Sequence, residues 1–214
     1  MSTTQKMQKR AKAKKRLLCK TNNAIYHYTK GVHIAKIIRS GFLAREKECG
    51  NGYGSQITNF VWFTEKETYP KTALPNIPEM PETNLLQHFS DVKPNIDWMK
   101  LSMHIGGIYR FKFKPTEDRF VKWFDCNYRN SNFQNIRIKM LDSTANMVGD
   151  NIKKFWISTN SVSLKNCELE QLINGVWTSV LKFDNCGEVF HTSSYSMEQI
   201  VNESVIARQA CGLI

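Results

Sequence analysis

Short apolar runs separated by polar breaks begin at residue 24, and the spacing of the apolar positions switches between the strand and helix periods along the chain. Ala24-Ile25-Tyr26-His27-Tyr28-Thr29 is β-branched and aromatic, the composition of a half-buried strand. Ile34, Ile37 and Ile38, with Ala35 beside them, then recur at i, i+3 and i+4 and stop at Gly41, which predicts a short helix over 33–40 closed by a glycine. Residues 47–59 carry three glycines and no apolar period, so they read as a flexible loop ahead of a buried strand, Phe60-Val61-Trp62-Phe63-Thr64. Pro70, Pro75, Pro78 and Pro81 argue against regular helix or central strand over 69–83, which reads as a long loop or lid.

Residues 107–113 alternate, placing Tyr109, Phe111 and Phe113 on one face and Ile108, Arg110 and Lys112 on the other, a strand with one charged face. Residues 118–124 and 136–141 suggest short helices or turns around an Asn-rich connection. The C-terminal part reads mostly as sheet: strands at 155–159, 167–173 and 176–183, the last two joined by Asn174-Gly175, a strong type I′ hairpin signal. A closing helix over 196–207 is expected from Ile200, Val201, Val205 and Ile206, with Ser196 and Gln199 at capping-box spacing. No internal repeat is present. The expectation is one α+β domain over 23–214.

Charge changes the picture at the N-terminus. Residues 1–20 hold Lys6, Lys9, Arg10, Lys12, Lys14, Lys15, Arg16 and Lys20 and no acidic residue, so 1–22 is expected to be a basic, flexible arm. It serves either as a polyanion-binding segment that turns helical on phosphates or as a solvated tail. Thirty Lys and Arg against nineteen Asp and Glu leave a net charge of +11, which favours a nucleic acid or acidic protein partner through Lys6 to Lys20. No run of eighteen apolar residues and no apolar leader core is present, so a cytoplasmic protein with no membrane contact is expected. Cys19, Cys49, Cys126, Cys167, Cys186 and Cys211 include no CxxC; Cys186 with His191 is the nearest approach to a metal-ligand pair, so no metal is expected and the thiols read as structural.

The chain lacks GxGxxG after a strand, GxxxxGK[ST], HExxH and GxSxG, which removes support for most common enzyme classes. Aromatic and hydroxyl residues at strand ends, near a glycine loop and a proline-rich lid, suit a flat aromatic ligand and a ribose. Tyr26-His27-Tyr28-Thr29, the helix ending in Ser40-Gly41-Phe42-Leu43, and Val61-Trp62-Phe63-Thr64 together resemble the opening of the ADP-ribosyltransferase superfamily, in the subgroup with HYT and then VWFT or VWLT. The downstream order is similar too: an Arg-bearing strand at Tyr109-Arg110-Phe111, then Trp156-Ile157-Ser158, Val162 and a hairpin reaching Trp177. The resemblance covers most of 24–181 and rests on short motifs.

That resemblance implies a split, mostly antiparallel β-sheet core with short helices and an NAD-dependent transfer of ADP-ribose to a nucleic acid or nucleic-acid-associated protein. It implies that His27 hydrogen-bonds the nicotinamide ribose, that Tyr28 or Tyr26 stacks on the nicotinamide, and that Thr29 orients the strand end. Thr64 would support the pocket, Trp62 or Phe63 would wall it, and Arg110 would grip the pyrophosphate. The family's catalytic Glu has no evident counterpart: before the Trp156 strand stand Lys153-Lys154-Phe155, with Asp150 the acidic residue close by and Glu168, Glu170 and Glu188 as later alternatives. Without such a group the pocket would bind NAD and not cleave it, giving an inhibitor or adaptor; a nucleic-acid-binding protein on the same scaffold is the other alternative. On the bland side, His27 reads as a core histidine, Trp62, Phe63, Trp156 and Trp177 as packing, and Arg110 as half of a salt bridge.

Overall fold

A computed structural model of the chain describes residues 24–45, 60–68, 70, 106–115, 119–126, 139, 142–143, 145–147, 149–192 and 196–210. The basic arm, the glycine loop at 47–59, most of the proline-rich stretch and most of 136–141 lie outside the described residues. Strand β1 (Ile25–Lys30) runs directly into helix α1 (Gly31–Ser40). After it come β2 (Phe42–Leu43), β3 (Val61–Thr64), β4 (Ile108–Phe113), β5 (Val121–Lys122) and a 3-10 turn at Trp123–Asp125. A second 3-10 turn, Ile152–Lys154, leads into β6 (Phe155–Ser158), followed by β7 (Val162–Ser163), β8 (Glu168–Ile173), β9 (Val176–Phe183), β10 (Val189–His191) and α2 (Met197–Ala210).

The result is an α+β architecture. Among the described residues eight strands form one sheet in the order β10-β9-β8-β4-β1-β3-β6-β5, antiparallel throughout, and β2 pairs with β7 in a small separate ribbon. The alternation along β4 decides its two faces. Phe111 stands between Leu169 of β8 and His27 of β1 in the ladder, and Tyr109, Phe111 and Phe113 are all buried. Ile34 from α1 and Ile200 from α2 belong to the same apolar cluster. Burying one large apolar side chain of this kind stabilises by about 1.5–3 kcal/mol, so this face carries most of the cohesion of the fold.

Helix α1 ends where the sequence places its stop: Gly41 adopts φ +69°, and its N–H reaches the Ile37 and Ile38 carbonyls. It starts two residues before the expected His33, because Gly31 crosses the backbone of Gly106 so closely that a Cβ at Gly31 would lie 1.3 Å from the Gly106 carbonyl oxygen. The Gly31 N–H donates to the Gly107 carbonyl, 2.8 Å away, which ties the head of α1 to the entry of β4. Helix α2 then completes α1. The buried Ser204 hydroxyl accepts from the Ala35 N–H at 2.9 Å and donates to the Gly31 carbonyl, so it bridges two backbone groups one turn apart on α1.

Two local signals appear as expected. Asn174 and Gly175 take φ +49° and +79°, and Ile173 pairs with Val176, the signs a type I′ turn requires. At the head of α2 the Ser196 hydroxyl accepts from the Gln199 N–H at 3.1 Å and the Gln199 side chain accepts from the Ser196 N–H at 2.7 Å, a complete capping box. Other expectations are corrected. Residues 121–122 form a strand before the 3-10 turn, where helix or turn was expected over 118–124, because Val121 and Lys122 pair with Ile157 and Trp156. The short strands β2, β7 and β10 have no sequence pattern of their own length, and tertiary pairing alone defines them. Among the described residues no helix is long and apolar enough to cross a membrane.

Candidate functional site

The sheet is weakest in pairing at its middle. β1 shares six partner pairs with β4, and β3 shares four with β6, yet β1 and β3 share one, Tyr26 with Thr64. Past that pair, side chains take over from backbone. The His27 Nδ1 lies 2.9 Å from the Trp62 carbonyl oxygen, and the Tyr28 hydroxyl donates to the Lys66 carbonyl at 2.7 Å. Adjacent residues of a strand point to opposite faces, so a gap in the sheet is the place where His27 and both tyrosines can border one cavity.

A cleft of about 250 Å³ occupies this gap. It brings together Tyr26, His27, Tyr28, Trp62, Phe63 and Thr64, six of the residues singled out by the sequence. Pro70, from the proline-rich stretch expected beside the site, completes its wall together with Trp123, Asp142, Ala145, Ile152 and Phe155, which were not expected there. Trp62 and Trp123 pack at 4.9 Å between ring centroids, with Phe155 edge-on to Trp62, so much of the wall is aromatic face and edge. The volume is below the roughly 300–1,000 Å³ of sites that bury a drug-sized ligand, so it suits one aromatic ring with part of a sugar.

The protonation states follow from burial. A carbonyl only accepts, so the hydrogen between His27 and Trp62 sits on Nδ1 and the neutral ring keeps Nε2 as an acceptor. Burial of the ring lowers the His27 pKa below the ordinary imidazole value, and the Trp62 carbonyl opposes this only in part. Burial pushes the Tyr28 phenol up to about 12, against the hydrogen bond from Arg110, and raises that of Tyr26. At neutral pH the cleft therefore presents neutral imidazole and phenol groups. Thr64 is buried, and its hydroxyl oxygen accepts from the Lys66 N–H at 3.1 Å.

Three sequence candidates do not border the cleft. Thr29 is buried at the end of β1 opposite Tyr109. Asp150 is buried and paired with Lys66 Nζ at 3.0 Å. Arg110, expected on a charged strand face as either a pyrophosphate ligand or half of an exposed salt bridge, does form an ion pair, but a buried one: it is 6% exposed, its Nε donates to Glu170 Oε2 and its Nη1 to the Glu67 carbonyl. The glutamate alternatives do not border the cleft either. Lys112 Nζ lies 3.2 Å from both Glu168 and Glu170, while Glu188 is exposed in the β9–β10 turn. Burial would raise the pKa of Glu168, but hydrogen bonds from Ser179 and Lys112 bring it below the ordinary carboxylate value.

The carboxylate that does border the cleft, among the described residues, is Asp142, whose Oδ1 accepts from the Trp123 indole at 2.9 Å. Asp142 follows the 136–141 segment expected as a helix or turn, and no motif in the sequence singles it out. Of the cysteines, Cys126 and Cys167 are buried free thiols and Cys186 is an exposed one; burial keeps the Cys167 thiol protonated. Comparison of the chain with protein-family models, with curated proteins and with solved structures finds no match in any of the three.

Proposed function

We propose that the central cleft holds the nicotinamide end of NAD and that the protein is an NAD-dependent ADP-ribosyltransferase acting on a macromolecular acceptor. The observation that carries this reading is the convergence of His27, Tyr26, Tyr28 and Thr64 with an aromatic wall where β1 and β3 part. A planar pyridine amide fits between aromatic rings, and a ribose hydroxyl can donate to the acceptor nitrogen of neutral His27. The size of the cleft agrees with part of a dinucleotide, leaving the remainder to lie outside. The mostly antiparallel sheet with its two helices supports the reading only at the level of an α+β architecture.

Asp142 takes the role for which the sequence offered Asp150. NAD supplies a glycosidic bond whose cleavage leaves positive charge on the ribose ring, and a fixed carboxylate on the cleft wall stabilises that charge more than the ground state. The bond from the Trp123 indole holds the Asp142 side chain in place on the cleft wall. For the acceptor, a polyanion is favoured by the net charge of +11 and by Lys153 and Lys154, exposed between the cleft residues Ile152 and Phe155. An NAD-binding adaptor without turnover is the second reading, favoured by the burial of Asp150 against Lys66 and the engagement of Glu168 and Glu170 with Lys112.

The test is nicotinamide release from NAD⁺ by the purified full chain, beside His27→Ala and Asp142→Asn, with binding followed separately by calorimetry. Release by the wild type, lost with Asp142→Asn while binding persists, supports the transferase. Binding without release supports the adaptor, and no binding at all removes NAD from the cleft.

A further inference from the structure

The segment leaving β3, residues 65–67, is pinned by five side chains from elsewhere in the chain. Glu65 receives the Trp156 indole at 2.9 Å and Lys122 Nζ at 3.0 Å, and its own N–H donates to the Lys154 carbonyl at 2.9 Å. Lys66 reaches Asp150 with its ammonium, and its carbonyl accepts the Tyr28 hydroxyl. The Glu67 carbonyl accepts a hydrogen bond from Arg110 Nη1. This segment leads to Pro70, which borders the cleft, so its placement sets one edge of the site.

Arg110 connects that edge to the far hairpin. Its guanidinium carbon lies 4.1 Å from the Tyr26 ring centroid and 4.2 Å from that of Trp177 on β9, and Glu170 on β8 accepts from its Nε. Its Nη1 approaches the Tyr28 hydroxyl at 3.4 Å, and the Tyr28 ring stands edge-on to Trp177 at 5.6 Å. Trp177 and Glu170 do not border the cleft, yet the Tyr28 ring packs on Trp177 and its hydroxyl is approached by Arg110, beside its own bond to the Lys66 carbonyl. A planar fork held over two aromatic rings with a carboxylate at one end has little freedom, and what it touches inherits that order.

We infer that Arg110 is a positioning residue, held by Glu170 and Trp177 of the β8–β9 hairpin, that fixes the Tyr28 ring and the 65–67 segment and so makes the cleft competent to bind its ligand. The inference rests on the proposal that this cleft is the NAD site. It reassigns the guanidinium from pyrophosphate contact to support of the aromatic side chain that meets the nicotinamide. It also gives the terminal hairpin a place in binding.

Removing Arg110 outright would leave Glu170 buried beside an empty position, so the informative variants are Arg110→Lys, which keeps the charge, and Trp177→Leu, which removes one ring. Trp177→Phe is the conservative control and Tyr28→Phe the partner in a double-mutant cycle. NAD affinity is read by calorimetry, and the amide exchange of 65–68 by mass spectrometry. Trp177→Leu and Arg110→Lys are expected to weaken NAD about tenfold, the equivalent of one oriented hydrogen bond, while Trp177→Phe stays within about twofold of wild type. Combined with Tyr28→Phe, Trp177→Leu is expected to add little further loss. In parallel, exchange at 65–68 should accelerate in Trp177→Leu without loss of global stability. Additive losses in the cycle, or wild-type affinity in Trp177→Leu, overturn the inference. Should the wild type bind no NAD, the dinucleotide proposal fails by itself; the exchange measurement still decides the positioning role, which unchanged rates at 65–68 would sink.

Discussion

His27 does two things that one substitution cannot separate but two can. Its Nδ1–H holds the Trp62 carbonyl at 2.9 Å, closing the sheet where backbone pairing stops, and its Nε2 is the acceptor left for a ligand. In His27→Asn the amide nitrogen sits near the Nδ1 position and keeps the strut while deleting the Nε2 acceptor. In His27→Gln the longer chain places its amide near Nε2 and leaves the carbonyl without a partner. A buried carbonyl that loses its donor costs about 1–3 kcal/mol, whereas a neutral hydrogen bond to ligand contributes about 1.4 kcal/mol, or tenfold in affinity. His27→Asn is therefore expected to unfold in urea within about 0.5 kcal/mol of wild type and to bind NAD about tenfold more weakly. His27→Gln is expected to lose about 1–3 kcal/mol, a fall in Tm of roughly 2–12 °C at this chain length, and to keep more of its affinity. Urea denaturation with a constant m-value and calorimetric titration give the two quantities. If His27→Asn is the less stable variant and His27→Gln binds worse, the assignment of the two ring nitrogens is wrong.

Ser204→Ala removes a hydroxyl that bonds two buried groups of α1, and a loss of about 1–3 kcal/mol is expected in urea denaturation; a loss under about 0.5 kcal/mol would show that the bridge between Ala35 and Gly31 is dispensable. Gly31→Ala drives a methyl into the Gly106 carbonyl, and because the obstacle is backbone the penalty should exceed the roughly 1–3 kcal/mol of ordinary overpacking; soluble expression with a wild-type Tm would refute the close crossing. In acid, His27 and Glu168 act in succession. The lowered pKa of His27 means the unfolded chain takes up its proton first, so stability is complete above the ordinary value of 6.5 and declines as pH falls below it. The lowered pKa of Glu168 adds a second decline below the ordinary 4.5. Thermal melts from pH 8 to pH 3 test the order, and His27→Asn should show a smaller slope in the first window; a wild type whose stability rises on acidification through pH 6 contradicts it.

Local chemistry determined much of this protein before any folding was considered. The αL glycine at Gly41, the Asn174-Gly175 turn, the Ser196–Gln199 capping box and the alternation of β4 each depend on residues within a few positions of one another, and each appears where the pattern places it. The same holds for six of the twelve residues around the cleft, because β1 and β3 are continuous runs whose aromatic composition is visible in sequence. Tertiary structure decided what those side chains do. The charge pattern put Arg110 on the polar face of β4, but only the approach of Tyr26, Glu170 and Trp177 from three other strands turned that face inward and withdrew the guanidinium from solvent. Asp150 and Asp142 differ by eight positions and share their chemistry; one meets Lys66 and is neutralised in the interior, the other meets the Trp123 indole on the cleft wall. The cleft exists because β1 and β3 pair at one point and then diverge, and the energy of a buried ion or an open sheet depends on which distant segments arrive to partner it.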